Sequence, residues 1–192
     1  MKINFLGDSI TYGYELDNKD VWTTLIQEKR KEDIIINRGI SGDSTTGMLT
    51  RFQTQILTDN PDIMHLMGGL NDVFSGAKAK HIQANFFALS HQAKFYGIKT
   101  VVGICPLPIK EMLEEDFKAF IKFDDAYKQM KKLNQWLRTY NTISDSISII
   151  DYEKELKNYY QSNIQDLYLD GVHLNEQGNK VLAQIFLDNF SV

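Results

Sequence analysis

The chain has 192 residues, 43% hydrophobic and 24% charged, with a formal net charge of −4. That composition is ordinary for a globular protein, and a chain of this size buries about 70% of its unfolded surface, so neither metal nor disulfide is needed to hold it together. The mildly acidic balance excludes a broad electrostatic footprint for nucleic acid or anionic lipid, the single cysteine excludes an internal disulfide, and no apolar run nears the roughly 18 residues of a membrane span.

In chain order, Ile3-Asn4-Phe5-Leu6 is the first apolar run and predicts a buried strand. So few apolar residues precede Gly7 that no signal-peptide core is expected, which points to a cytoplasmic protein. Lys29-Arg30-Lys31 is followed at once by Glu32-Asp33 and reads as a solvated helix end. Further strands are predicted at Ile34–Ile36, Ile63–Met67, Thr100–Ile104 and Ile147–Ile150. Helical spacing runs from Gln83 to Tyr96, from Tyr127 to Tyr140 and from Gln177 to Phe190. Cys105, after an apolar run, is expected to be a buried thiol. Pro106 and Pro108 make a rigid exit from the fourth strand. The charged stretch Glu111–Asp125 is read as an extension of the following helix in preference to a flap. Strand and helix alternate throughout, with no repeat or linker. That pattern predicts one domain, 1–192, built on a parallel sheet covered on both faces. Ligands of such sheets bind at the carboxyl ends of the strands.

Four loops at or near that edge carry reactive residues. Gly7-Asp8-Ser9-Ile10-Thr11 leaves the first strand, and Ser9 is either a helix cap or a nucleophile. In Asn37-Arg38-Gly39-Ile40-Ser41-Gly42-Asp43-Ser44-Thr45 the glycines allow a tight backbone. Gly42 there can bare its N–H as an oxyanion donor, or simply make a turn, and Asp43 or Ser44 can cap the next helix. Gly68-Gly69-Leu70-Asn71-Asp72 leaves the third strand, where Asn71 can aim its amide into the cleft or serve the turn. Asp170-Gly171-Val172-His173-Leu174-Asn175 can fold so that the carboxylate meets one ring nitrogen, leaving the other as a base. Each loop is weak evidence alone. Together they supply nucleophile, base, orienting acid and oxyanion donors.

With these four blocks in this order, the chain resembles the SGNH hydrolases, the GDSL lipases and esterases. Gly7-Asp8-Ser9 matches the block that names that family, with Ile10 where leucine is usual. Gly42, Gly69-Leu70-Asn71-Asp72 and Asp170-Gly171-Val172-His173 match the other three. The resemblance implies a flavodoxin-like three-layer α/β/α sandwich with a five-stranded parallel sheet. It also implies a catalytic set of Ser9, Asp170 and His173, and an oxyanion hole made by the Ser9 N–H, the Gly42 N–H and the Asn71 side chain. Asp8 and Asp72 would hold loops in place. The implied reaction is hydrolysis of small soluble carboxylic esters, acetylated carbohydrates among them, through an acyl-enzyme, with no cofactor and no metal. The implied partner is a small-molecule ester, with no nucleic acid and no integral membrane association. A lysophospholipase or thioesterase and a catalytically silent binding module are the alternatives.

Position 11 is threonine, so this is not the Gly-x-Ser-x-Gly elbow of the α/β-hydrolases. A metal-dependent phosphohydrolase built on Asp8 would want a second carboxylate nearby, and Ile10 cannot bind a metal. His65 lies in an apolar run and reads as a core residue, while His81 and His91 are badly spaced for a shared metal.

Overall fold

The computed structural model describes residues 1–160 and 163–190. Five parallel strands, β1 (Lys2–Gly7), β2 (Ile34–Gly39), β3 (Ile63–Leu66), β4 (Lys99–Ile104) and β5 (Ile147–Asp151), form one sheet in the order β2-β1-β3-β4-β5. All five occur where apolar runs predict them. The burial pattern explains why the runs look as they do. Every residue of β3 is buried, and so are all but the first of β1 and of β4, whereas edge strand β2 is only partly covered. Strands covered on both faces are built mostly from apolar side chains, and the buried Asn4 and His65 are exceptions.

The order in which strands are added reverses about β1: β2 lies to one side and β3 to β5 to the other. With right-handed crossovers, the connections on the two sides fall on opposite faces. One layer holds α2 (Trp22–Lys29), α8 (Tyr152–Tyr159) and α9 (Glu176–Asn189), packed α2 on α9 and α8 on α9. The other holds α3 (Thr45–Thr50), α4 (Leu70–Phe74), α5 (Ala79–Phe95) and α7 (Phe123–Leu137), with α3 and α7 against α5 and α4 against α7. The result is a three-layer α/β/α sandwich. Its topological switch point lies between β1 and β3, and in such sheets that is where a crevice opens at the strands' carboxyl ends. Among the described residues no helix is long and apolar enough to cross a membrane.

The core beneath α2 and α9 contains Phe5, Trp22, His65, Tyr152 and Phe186. His65 is stacked on Phe5 with ring centroids 4.9 Å apart, and its Nε2 lies 3.0 Å from the Tyr152 hydroxyl. Burial pulls its pKa down to about 3, so the ring is neutral and structural. Cys105 is likewise buried.

The segment Glu111–Asp125 departs from its expected form. It is not a plain extension of the next helix. A single tight turn, Lys110–Met112, leads to a separate short helix, α6 (Glu115–Phe120), before α7 begins at Phe123. Lys122 breaks the run by adopting a left-handed conformation, φ 49°, which non-glycine residues rarely enter. Both α5 and α7 begin four residues before their apolar periodicity, at Ala79 and Phe123.

Candidate active site

Gly7 ends β1 against a crowded corner. A Cβ there would fall 2.0 Å from Thr11 Oγ1 and 2.9 Å from the Met67 carbonyl oxygen. The chain then turns into α1 (Ser9–Tyr12). Asp8 is the cap: its Oδ1 accepts the Ile10 N–H at 3.0 Å. This settles the alternative readings of Ser9 as far as capping goes. Ser9 is the first helical residue, and its hydroxyl is free of cap duty.

That hydroxyl meets His173. Ser9 Oγ and His173 Nε2 are 2.9 Å apart, although the two residues are separated by 164 positions. On the other side of the ring, Nδ1 lies 2.6 Å from Asp170 Oδ2. Asp170 Oδ1 accepts the backbone N–H of Val172 at 2.8 Å and of His173 at 2.7 Å. Gly171, at φ 87°, makes this tight loop possible, and the Ile109 N–H donates to its carbonyl at 2.7 Å. Partial burial pushes the Asp170 pKa up, but the imidazole and the two N–H donors outweigh it and hold the carboxyl at about 2. An ionised Asp170 can only accept, so in the neutral ring Nδ1 carries the proton and Nε2 is left facing the serine. Asn175 caps α9 by accepting the Gly178 N–H at 3.0 Å, which anchors the loop's far end.

The β2 and β3 exits lie at the same rim. Gly42 adopts φ 79°, and a Cβ there would meet nothing within 4 Å, so its glycine serves conformation and not space. Neither the Ser9 N–H nor the Gly42 N–H has a backbone acceptor among the described residues. The Asn71 amide donates one hydrogen to the Asp43 carbonyl at 2.9 Å, which fixes the side chain and leaves its second hydrogen available. Asp72 accepts both the Thr45 N–H, at 2.9 Å, and the Thr45 hydroxyl, at 2.7 Å. Of the two cap candidates in the β2 loop, Ser44 takes the role, accepting the Gly47 N–H at 3.1 Å.

Two residues at this rim carried no signal in the sequence. Arg51 is 9% exposed and donates to Asp43 Oδ2 at 2.8 Å and to the Gly7 carbonyl at 3.0 Å, tying the β1 exit to the β2 loop. Tyr14 lies over the His173 ring, with centroids 4.3 Å apart. Nothing in the local pattern distinguishes either from a surface arginine or tyrosine. Beside His173 and Asn71 opens a pocket of about 420 Å³, walled by Phe74, Met112, Leu113 and Phe117.

Asp8 has a second consequence. Its Oδ2 is buried without a partner, and burial raises its pKa to about 7, outweighing the Ile10 N–H that lowers it. The unfolded carboxyl ionises near its ordinary 3.8. Between those values the folded state holds the extra proton, so stability falls as pH rises. Asp8→Asn keeps the cap acceptor and removes the titration. The stability of Asp8→Asn relative to wild type should therefore rise between about pH 5 and about pH 8, by on the order of a few kcal/mol, and its melting temperature should follow. A gap that does not change with pH in thermal denaturation would refute this.

Against this geometry stand the similarities to known proteins. Residues 5–181 match the model of the GDSL-like lipase/acylhydrolase family. Esterase TesA of Pseudomonas aeruginosa is 27% identical over 107 residues, covering 54% of this chain and 53% of that esterase's own length. The acetylxylan esterase of Geobacillus stearothermophilus is 24% identical over 165 residues, covering 80% of this chain and 70% of that enzyme. A solved structure of a member of the lipolytic G-D-S-L family from Veillonella parvula superposes with a TM-score of 0.82 at 24% identity, covering 99% of this chain and 98% of that one. Because the family match runs through nearly the entire chain, and the fold is shared from end to end, the protein belongs to the GDSL-like lipase/acylhydrolase family.

Proposed function

We propose that this chain is a serine esterase, that residues 1–192 act as one catalytic domain, and that the reaction passes through an acyl-enzyme. The observation that carries the reading is the pair of contacts on His173: Nε2 at 2.9 Å from Ser9 Oγ and Nδ1 at 2.6 Å from Asp170. A serine hydroxyl is a weak nucleophile until a base takes its proton. His173 removes that proton as Oγ attacks the ester carbonyl, and Asp170 stabilises the imidazolium that forms. The oxyanion is held by the Ser9 and Gly42 N–H groups and the free hydrogen of Asn71. His173 returns the proton to the departing alcohol, and water then repeats the cycle to release the acid. Each step uses side chains and backbone of this chain.

The substrate is a small carboxylic ester. The acetylxylan esterase relative supports an acetylated carbohydrate, whereas the apolar walls of the pocket beside His173 favour an alkyl acyl group. A reducing, cytoplasmic setting belongs to the same proposal and is supported by the lone, buried Cys105.

The test is release of nitrophenol from short-chain nitrophenyl esters, with activity expected to survive EDTA. Acetylated sugars are run beside them. No turnover on any ester would defeat the reading. Asn71→Ala should lower kcat by about 10²–10³ while KM stays near wild type, because the lost donor acts on charge that develops in the transition state. A change confined to KM would make Asn71 a substrate contact instead.

A further inference from the structure

We propose that Phe74 and Phe117 form a gate that sets how long an acyl chain this site accepts. The proposal rests on the esterase reading and deepens it. Two cavities meet at Phe74, and Phe117 packs on that ring from the first of them. The first, of about 420 Å³, is the one beside His173, lined also by Asn71, Met112 and Leu113. The second, of about 340 Å³, is lined by Val73, Phe74, Phe120, Ile121, Lys122 and Gln129. Phe74 belongs to both. Its ring meets Phe117 edge-on, with centroids 5.7 Å apart and planes at 80°.

The helix gives the pocket its direction. Phe74 stands three residues after Asn71 on α4, so it lies on the same face, one turn further along. A path that starts at the Asn71 amide therefore ends on the two aromatic rings. With that amide turned to the carbonyl oxygen, the carbonyl carbon sits at the start of the path. The acyl chain is bonded to that carbon and continues inward, while the alcohol leaves beside His173 Nε2. Phe74, Met112, Leu113 and Phe117 offer an alkyl chain apolar contact, while Glu114 and Asp170 make the polar part of the same lining.

Phe117 is free to act as the moving half. It sits on α6, a six-residue helix with no buried residue, joined to α7 through the left-handed Lys122. Elements with so little buried contact open at low cost. Phe74 is the wall that the two cavities share, and the Phe117 ring holds that wall in place from the first cavity.

The experiment is a series of nitrophenyl esters from acetate to dodecanoate. For the wild type, kcat/KM should rise about fourfold per added methylene while the first cavity fills, then fall. Phe74→Ala and, separately, Phe117→Ala should move the optimum to longer chains, raising the long-to-short ratio of kcat/KM by about tenfold or more. Phe117→Trp should move it to shorter ones. Calorimetric binding of the matching carboxylates to Ser9→Ala protein should give the same ordering without turnover. An unmoved optimum in folded variants, by both readouts, overturns the gate. Sensitivity to alcohol length in place of acyl length, measured with alkyl acetates, overturns the acyl assignment. A shifted binding series without hydrolysis of any ester upholds the gate and counts against the esterase reading alone.

Discussion

Ser9→Ala should leave a folded protein whose kcat for ester hydrolysis is lower by a factor on the order of 10⁶. The size follows from what is lost. Without the oxygen there is no acyl-enzyme, and His173 has no hydroxyl to deprotonate; only binding and the oxyanion donors remain. The fold should survive because Asp8, not Ser9, caps α1, and the Ser9 hydroxyl's hydrogen bond is to His173. Circular dichroism and a melting curve beside the rate measurement separate the two effects. A folded Ser9→Ala protein with near-wild-type turnover would mean that another group attacks the ester.

Asp170→Asn should be the second-largest effect, a loss of about 10⁴ in kcat with little change in the fold. The amide oxygen can still accept the N–H groups of Val172 and His173, which Asp170 Oδ1 accepts now. The amide NH2 then faces His173 Nδ1 and donates where a carboxylate would accept. That favours the tautomer with its proton on Nε2, which cannot take the Ser9 proton, and it removes the negative charge that stabilises the imidazolium. Asp170→Ala is the control: it loses the loop bonds as well as the charge, so its melting temperature should fall too. A drop of less than about tenfold in folded Asp170→Asn would reduce Asp170 to a loop-holding role.

The sheet was legible because strands covered on both faces are filled mostly by apolar side chains, with Asn4 and His65 as buried exceptions. The runs ending at Leu6, Leu66 and Ile104 had to be largely apolar, and the residues after them had to turn. The reactive loops were legible for the same reason, since glycine marks turns whose φ or spacing excludes a side chain, as at Gly7 and Gly171. Contacts that depend on distant packing were not legible. That Asp8 and not Ser9 caps α1 is set by a backbone angle that either residue could adopt. Arg51 reaches the Gly7 carbonyl across 44 positions, and no local pattern announces that. The break between α6 and α7 lies at a lysine in a left-handed conformation, whereas sequence patterns reserve that region for glycine and asparagine. The pocket walls come from α4, α6 and the loop before α6, so their shape exists only once those pieces are brought together.

Every step of the proposed reaction depends on the oxygen at position 9 being the nucleophile. The most direct test is reaction of the wild-type protein with a fluorophosphonate ester probe, followed by peptide mass mapping. One phosphonyl adduct per chain, on Ser9 and absent from the Ser9→Ala protein, is the predicted result. An adduct on another residue, or none while ester hydrolysis proceeds, would contradict it.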